Sequence, residues 1–182
     1  NSSINLSKET REIIDYLQSL TKEDFSKKLK IKGDILDLNY DRIINFKEKK
    51  YYPAIYLYGG MVYKNIDIQN IENKDYIKDH VTILSAMYGP INSFQAIKPY
   101  RLDFSNRIKI KDKNLKDIWK KSYNNYLNKE NIILNLASNE FSSLIDKSKL
   151  KWIDFSFYRM GDNKEIKSHY TISKKDSGLM VK

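Results

Sequence analysis

The turn around Gly33 is the first place where residue types and their spacing could do chemistry. Four lysines crowd it, namely Lys27, Lys28, Lys30 and Lys32. Glycine permits a tight backbone and the close approach of a ligand, and exposed amides at a helix start can hold a phosphate. A helix–turn–helix of this kind would bind the backbone of a nucleic acid rather than its bases. An ordinary helical hairpin with a solvated lysine face is the alternative, which the residues alone favour.

The segment YGPINSFQAIKPYRLDF, residues 88–104, supplies a second set of functional groups. Arg101 could bind a phosphate or a carboxylate through two parallel hydrogen bonds. A structural ion pair with Asp103 or Glu140 is an equally good interpretation of the same arginine.

The segment NLASNEF, residues 135–141, predicts a strand that ends directly at a helix start. Such a junction can form an anion pocket at the helix N-terminus. Ser138 is placed to cap the helix, and Glu140 lies in the first turn, where its charge suits the helix dipole. Capping alone also explains both residues. The G-x-S-x-G pattern of a serine nucleophile does not occur here.

A third basic segment, SKKDSGLM, places Lys174 and Lys175 close to Gly178. These lysines could form another part of a basic rim. They could equally protect the exposed end of a strand, since edge strands often carry lysine.

The elements that must position these groups are helices and short strands. Ser7, Thr21 and Asp112 or Asn114 are predicted to cap helices. The segments VTILSAMYG, KPYRLDF, RIKIK and NIILNLAS indicate strands, and GDN indicates a hairpin between WIDFSFY and IKSHYTI. Strands separated by helices predict an α/β fold, with a mixed sheet flanked by helices. We expect a single domain over residues 1–182.

Composition narrows the classes of function. The chain has 182 residues, a formal net charge of +10, no cysteine and two histidines. Disulfides, iron–sulfur clusters and thiol chemistry are therefore excluded, and we predict no metal site and no cofactor. The apolar runs are too short to span a bilayer, and no secretory leader opens the chain. These features predict an intracellular protein without a membrane partner, and the charge invites a nucleic-acid partner.

Several of these segments together resemble one known family. LSAMYGPINSFQAIKPYRLDF resembles the LSGLYGxLRPLDxIxPYRLEM signature of the YaaA peroxide-stress protein family. NLASNEF resembles its NLASxEY, KKDSGLM its KKARGLM, and GGMVY its GDVY. LKIKGDILDLNYDRI aligns without gaps on LxISDKLAxLNxxRF, and all these matches occur in family order.

The resemblance implies a bacterial cytoplasmic α/β protein with a basic cleft, which protects against peroxide by limiting free iron. It also implies binding of duplex DNA by a helix–hairpin–helix unit, here about residues 22–46 with its turn at residues 32–35. The nucleic-acid-binding residues that we predict are Lys28, Lys30, Lys32, Gly33, Arg101, Lys174 and Lys175. The cleft positions carried over by alignment include Tyr88, Gly89, Tyr100, Asn135 and Gly178.

Departures from the family pattern bear mainly on catalysis. Lys32-Gly33 replaces Ser-Asp at the turn, which adds a positive charge, whereas Met61, Gln95 and Ser177 replace two acidic residues and an arginine of the family motifs. We also expect the chain to lack the family's N-terminal strand and its C-terminal extension. The DNA-binding unit is the part that these changes leave intact.

Two hypotheses therefore follow. The first is a protein that binds DNA through phosphates with little base specificity. The alternative is an enzyme, or an enzyme remnant, that holds a small anionic substrate in a cleft formed by Arg101, Ser138, Glu140 and Lys174. Glu140, Ser138, Asp103 and Lys174 are its candidate catalytic residues. Direct iron binding is disfavoured because the cysteine and histidine ligands are missing.

Overall fold

The computed structural model describes residues 5–160, 166–167 and 170–182 of the chain. Its α-helices are α1 (Lys8–Gln18), α2 (Lys22–Leu29), α3 (Gly33–Ile44), α4 (Ala54–Leu57), α5 (Met61–Ile66), α6 (Lys74–His80), α7 (Leu115–Leu127), α8 (Asn139–Ser142) and α9 (Tyr170–Val181). Its strands are β1 (Tyr52–Pro53), β2 (Thr82–Ser85), β3 (Gly89–Asn92), β4 (Ala96–Ile97), β5 (Lys109–Ile110), β6 (Lys113–Asn114), β7 (Ile133–Asn135), β8 (Trp152–Asp154), β9 (Arg159–Met160) and β10 (Ile166–Lys167). Short 3₁₀ helices occur at Phe46–Glu48, Ile68–Asn70 and Lys147–Lys149.

The α/β class predicted from the sequence is confirmed, with strands that pair two by two in the described residues. The pairs β1–β4, β2–β3, β5–β6 and β9–β10 are antiparallel, whereas β7–β8 is parallel. Strands of two to four residues offer few ladder hydrogen bonds. Burial of helix faces therefore has to supply most of the packing.

The helix caps predicted at Ser7, Thr21 and Asn114 are confirmed. Ser7 and Thr21 each accept the backbone N–H of the residue three positions later, at 3.1 Å. Asn114 and Asp117 form a reciprocal capping box at the start of α7. Capping satisfies amides that have no partner within the helix, so these side chains define where the helices begin.

Two predicted strands differ from the structure. KPYRLDF contains no strand, since residues 98–104 form an irregular segment that follows β4. WIDFSFY contributes β8, which pairs in parallel with β7 instead of starting the hairpin. The hairpin itself forms between β9 and β10, with Met160 opposite Ile166, and its GDN turn lies outside the described residues.

The core is built around the hairpin of β2 and β3 and the inner face of α7. The Trp119 indole N–H donates to the Ala86 carbonyl at 2.8 Å, and the Tyr123 hydroxyl donates to the Ser85 carbonyl at 2.8 Å. Both aromatic side chains are almost fully buried. The two hydrogen bonds orient large rings in the core without leaving their polar atoms unsatisfied.

Lys98 is buried, whereas the lysine-rich composition suggests lysines that face the solvent. Its side chain is only 3% exposed, and its ammonium donates to the carbonyls of Phe46 and Lys47 at 2.5 and 2.9 Å. The ammonium also lies over the rings of Phe46 and Tyr51. Burial lowers the pKa of Lys98. The hydrogen bonds of Lys98 therefore connect the segment that follows β4 to residues 46–47, which follow α3.

Candidate functional site

The helical hairpin of α2 and α3 contains the first candidate site. Its turn comprises residues 30–32, two residues earlier than the predicted one, because Lys30 adopts the left-handed conformation that ends α2. Ser26 holds the turn, since its hydroxyl donates to the Ile31 carbonyl at 2.7 Å and its carbonyl accepts the Ile31 N–H at 3.2 Å. Ile31 is buried, so the turn has a fixed apolar anchor.

The start of α3 is open to solvent. Lys32 occupies the N-cap position without a side-chain hydrogen bond to the helix, and Gly33 has φ +56° with no atom near the position of a Cβ. Residues 32–35 are all exposed. The first amides of α3 are therefore accessible to an incoming anion, with the positive end of the helix dipole behind them.

The lysines around this turn have different surroundings. Lys27 is paired with Glu23, and the Lys28 ammonium lies 5.8 Å from the centre of the Tyr16 ring. Lys30 and Lys32 are exposed, and within the described ranges neither has an ion pair. Two lysines of the four are thus available to contact phosphates directly.

The loop that carries Arg101 docks onto the end of α2. The Asn106 side chain accepts the Asp103 N–H at 2.9 Å and donates to the Leu29 carbonyl at 3.4 Å. Arg101 itself is exposed, and no ion pair with Asp103 or Glu140 is found in the part of the chain that the structure describes. The loop is thereby held beside the helical hairpin, as a shared site requires.

The segment NLASNEF meets the same loop. The Glu140 carboxylate accepts the Phe104 N–H at 2.9 Å, and the rings of Phe104 and Phe141 pack edge to face. Ser138 occupies the predicted N-cap position, but its exposed side chain makes no capping hydrogen bond. Asp103 accepts both the N–H and the hydroxyl of Ser105. Glu140 and Asp103 therefore hold the loop in shape.

The segment SKKDSGLM lies within helix α9, so a role in protecting a strand edge is wrong. Gly178 packs against α5, where a Cβ would lie 2.3 Å from the Val62 carbonyl oxygen. Lys174 is half-buried and Lys175 exposed on this helix. Gly178 thus serves close helix packing, and a place for the two lysines in a common groove with Arg101 stays a prediction.

The other predicted cleft residues are mainly structural. The Tyr88 hydroxyl donates to the Lys98 carbonyl and accepts the Lys98 N–H, both at 3.1 Å. Gly89 has φ +76° and lies directly against the Trp119 ring. These contacts explain why a buried tyrosine and a glycine are adjacent at the start of β3.

Asn135 is bound into a polar cluster on the parallel strand pair. Its side-chain N–H donates to the Asp154 carboxylate at 2.7 Å, and its side-chain oxygen accepts the Ala137 backbone N–H. Hydrogen bonds from Asn135, Trp152 and Lys147 lower the pKa of Asp154 to about 2. The cluster connects β8 to the NLASNEF segment.

Tyr100 lies in a group of tyrosine hydroxyls next to Arg101. Its hydroxyl is 2.7 Å from both the Tyr58 hydroxyl and the Ser85 hydroxyl. Burial raises the pKa of Tyr100 well above its usual value, and burial also raises the pKa of Tyr58. Both phenols therefore remain protonated hydrogen-bonding groups at neutral pH.

Arg42 is a candidate binding residue that the sequence analysis did not single out. It lines two adjacent cavities, of about 320 and 110 Å³, the smaller of which also contains Tyr58 and Tyr100. The arginine lies in the stretch LNYDRI that aligns on the family's LNxxRF, and this alignment was the available signal.

Neither a metal site nor a membrane span is found in the described ranges. No group of three or more histidine, aspartate or glutamate side chains there is arranged to hold a metal ion. No helix there has both the length and the apolar character needed to cross a bilayer.

The fold and the site define a mixed α/β protein with a lysine-bearing helical hairpin beside an arginine loop. A sequence profile of the family described as "Peroxide stress protein YaaA" matches residues 1–182. The chain belongs to this family, which confirms the resemblance seen in the sequence motifs.

Relatives that share most of the chain carry the name UPF0246 protein. One from Fusobacterium nucleatum subsp. nucleatum is 38% identical over 178 residues, which are 94% of this chain and 71% of the relative. One from Streptococcus agalactiae serotype III is 35% identical over 95% of this chain and 73% of the relative. One from Streptococcus gordonii is 34% identical over 97% of this chain and 74% of the relative.

Proposed function

We propose that this peroxide stress protein binds duplex DNA through phosphate contacts at the α2–α3 hairpin and the Arg101 loop. The open, uncapped start of α3, preceded by the unpaired Lys30 and Lys32 of the described turn, is the observation that carries the proposal. Backbone amides and lysines recognise phosphates without reading bases. The protein would act in the bacterial cytoplasm, as the family resemblance implies, and shield DNA from iron-dependent damage.

The neighbouring charges support a weak, sequence-independent contact. Arg101 would extend the basic surface of the hairpin, a role that the hydrogen bonds of Asn106 support because they join its loop to the end of α2. Asp34 lies exposed in the first turn of α3 and would repel a phosphate at the same amides. The proposal therefore predicts that Asp34→Asn strengthens DNA binding several-fold, because an acidic group disappears from the contact.

The main test is a salt titration of binding to duplexes of unrelated sequence. The double variant Lys30→Glu, Lys32→Glu should weaken binding to all duplexes alike. It should also reduce the slope of log affinity against log salt by about 2, since each lost phosphate contact removes roughly 0.9.

A matched control is Lys78→Glu with Lys129→Glu, which makes the same charge change at exposed lysines of α6 and of the turn after α7. The proposal fails if both double variants lose affinity equally, because the effect then reflects net charge alone. Unchanged binding by the hairpin variant in this titration also refutes it.

A second candidate function is turnover of a small anionic substrate at Arg101, Ser138, Glu140 and Lys174. The hydrogen bond between Glu140 and the Phe104 N–H supports it, since it brings two of the three segments together. Thermal unfolding with anionic metabolites or with duplex DNA separates the two functions, because a ligand that binds the folded chain raises its midpoint. A shift with duplex DNA and none with metabolites would exclude the second function.

A further inference from the structure

The cavity beside Arg42 lies away from the turn used in the proposed DNA contact. Arg42 lies near the C-terminus of α3, about 14 Å along the helix axis from Gly33. The cavity of about 110 Å³ is lined by Arg42, Leu57, Tyr58, Pro99 and Tyr100. At about 30 Å³ per water, this volume holds a few water molecules or one small charged group.

The guanidinium of Arg42 is oriented from one side. Its Nη1 donates to the side-chain oxygen Oδ1 of Asn39 at 3.1 Å, and the side-chain amide N–H of the buried Asn39 donates in turn to the Ile35 backbone carbonyl at 2.7 Å. Arg42 is half-buried, and no carboxylate pairs with it in the described ranges. A guanidinium carries five N–H donors, so most of the donors of Arg42 remain available to a ligand.

The adjacent Asp41 does not neutralise this arginine by direct contact. Asp41 pairs instead with Lys49 and accepts the Asn45 amide at 2.6 Å. Hydrogen bonds from Lys49 and Asn45 lower the pKa of Asp41, so its carboxylate stays ionised and is bonded to these two residues. Arg42 therefore remains a positive group at the cavity wall.

A chain of hydroxyls ends at Tyr58, which is one of the residues that line the same cavity. The Ser85 oxygen accepts the N–H groups of Met87 and Tyr88 at 3.2 and 2.9 Å, so its own hydrogen points to Tyr100. Tyr100 then donates to Tyr58, whose hydroxyl is 2.7 Å away. The Tyr58 hydrogen is left over, because both lone pairs of Ser85 are occupied. Two backbone amides thus impose the polarity of the whole chain.

The larger cavity shares Arg42 and Pro99 with the smaller one. It measures about 320 Å³. Leu38, Tyr52 and Pro99 form an apolar part of its lining, and the charged part consists of Asp41, Arg42, Glu48, Lys49 and Lys50. Apolar walls next to a few convergent polar donors are the usual composition of small-molecule sites. The apolar part of this lining can therefore contact the apolar body of a ligand whose charged end enters the smaller cavity.

We propose that Arg42 and Tyr58 form a binding site for a small molecule that carries a carboxylate or a phosphate on an apolar body. The guanidinium binds the anionic group with two hydrogen bonds, and the Tyr58 hydroxyl supplies a third. This site is separate from the hairpin turn and from the candidate residues around Glu140.

Isothermal titration calorimetry at constant ionic strength tests the proposal with four probes. Benzoate and phenyl phosphate carry the two anionic groups on an apolar ring, whereas acetate and inorganic phosphate carry them without it. We expect the ring-bearing probes to bind more tightly than the bare anions. The better of the two anionic groups identifies the class of the natural ligand.

Three variants decide the role of the residues. Arg42→Gln should weaken binding of the ring-bearing probes at least about tenfold, because charged hydrogen bonds are lost, and Tyr58→Phe should weaken it about threefold to tenfold. Arg107→Gln removes the same charge from an exposed position and should change nothing. Circular dichroism and the unfolding midpoint establish that each variant is folded.

The proposal is overturned if no probe binds at about 10 mM, or if Arg42→Gln binds the probes as the unaltered chain does. Equal losses in Arg42→Gln and Arg107→Gln also overturn it, because net charge would then explain the binding. If Arg42→Gln does not fold, Tyr58→Phe still tests the proposal. Unchanged affinity of Tyr58→Phe for the probes would contradict a hydrogen bond from the Tyr58 hydroxyl to the ligand.

Discussion

Replacing Gly89 by alanine should be among the most destabilising small changes in this protein. Two separate costs meet at this position. Gly89 has φ +76°, and an added Cβ would lie 2.4 Å from a ring carbon of Trp119. That ring cannot move away easily, because it is 1% exposed and its indole N–H is bonded to the Ala86 carbonyl.

The expected magnitude follows from these two costs. A left-handed backbone costs an L-residue roughly 1–2 kcal/mol, offset by about 0.4–1 kcal/mol of entropy lost by the unfolded chain. Overpacking against a fixed ring adds roughly 1–3 kcal/mol. Gly89→Ala should therefore lower the free energy of unfolding by about 3 kcal/mol, within a range of roughly 1–4.5 kcal/mol. This is a large part of the roughly 5–15 kcal/mol available to a domain.

Alanine variants of two other glycines distinguish the backbone cost from the cost of crowding Trp119. Gly33 has φ +56° with no atom within 4 Å of its Cβ position, so Gly33→Ala measures the backbone cost alone. Gly59 has neither a positive φ nor a close neighbour. Gly33→Ala should lower the free energy of unfolding by about 1 kcal/mol, and Gly59→Ala should change it by about 0.5 kcal/mol or less.

Equilibrium unfolding in urea, followed by circular dichroism, measures the three free energies under identical conditions. The difference between Gly89→Ala and Gly33→Ala is the cost of crowding Trp119. The reasoning is refuted if Gly89→Ala costs no more than Gly33→Ala, because the ring would then yield freely.

Two further predictions concern the pH dependence of stability. Burial raises the pKa values of Tyr58, Tyr63, Tyr88, Tyr100 and Tyr123 above the usual value of 10, so their stabilising contribution is complete below pH 10 and is lost as pH rises further. Absorbance at 295 nm should show tyrosines that ionise together with unfolding, and independent ionisation in the folded chain would contradict this. Hydrogen bonds lower the pKa of Asp154 to about 2, so its contribution is present above about pH 4 and is lost as pH falls through 2. Asp154→Asn should reduce the acid dependence of the urea midpoint between these values, and an unchanged profile would be the contrary result.

Local interactions explain which parts of the fold were predictable. Ser7, Thr21 and Asn114 bond to amides three residues away, so neighbours in sequence suffice to position the helix starts. The helical hairpin was predicted for the same reason, with its turn misplaced by two residues because Lys30 takes the left-handed conformation.

The irregular course of residues 98–104 was not predictable from its own pattern. The alternation in KPYRLDF favours a strand, yet the backbone bonds to side chains from distant parts of the chain. Glu140 accepts the Phe104 N–H from 36 residues away, and the Tyr88 hydroxyl accepts the Lys98 N–H and donates to the Lys98 carbonyl. Hydrogen bonds of this kind satisfy backbone groups that a sheet would otherwise pair.

The sequence by itself determined the family, the α/β class, the helix starts and the basic residues around Gly33. These features depend on the spacing of neighbouring residues and on sequence motifs. Only the tertiary structure decided what neighbouring residues do. Lys98 is buried and Arg101 is exposed although three positions separate them, and Arg42 meets Tyr58 at a cavity. Such roles depend on which distant atoms enclose a side chain, since burial, pKa and pairing are properties of the packed environment.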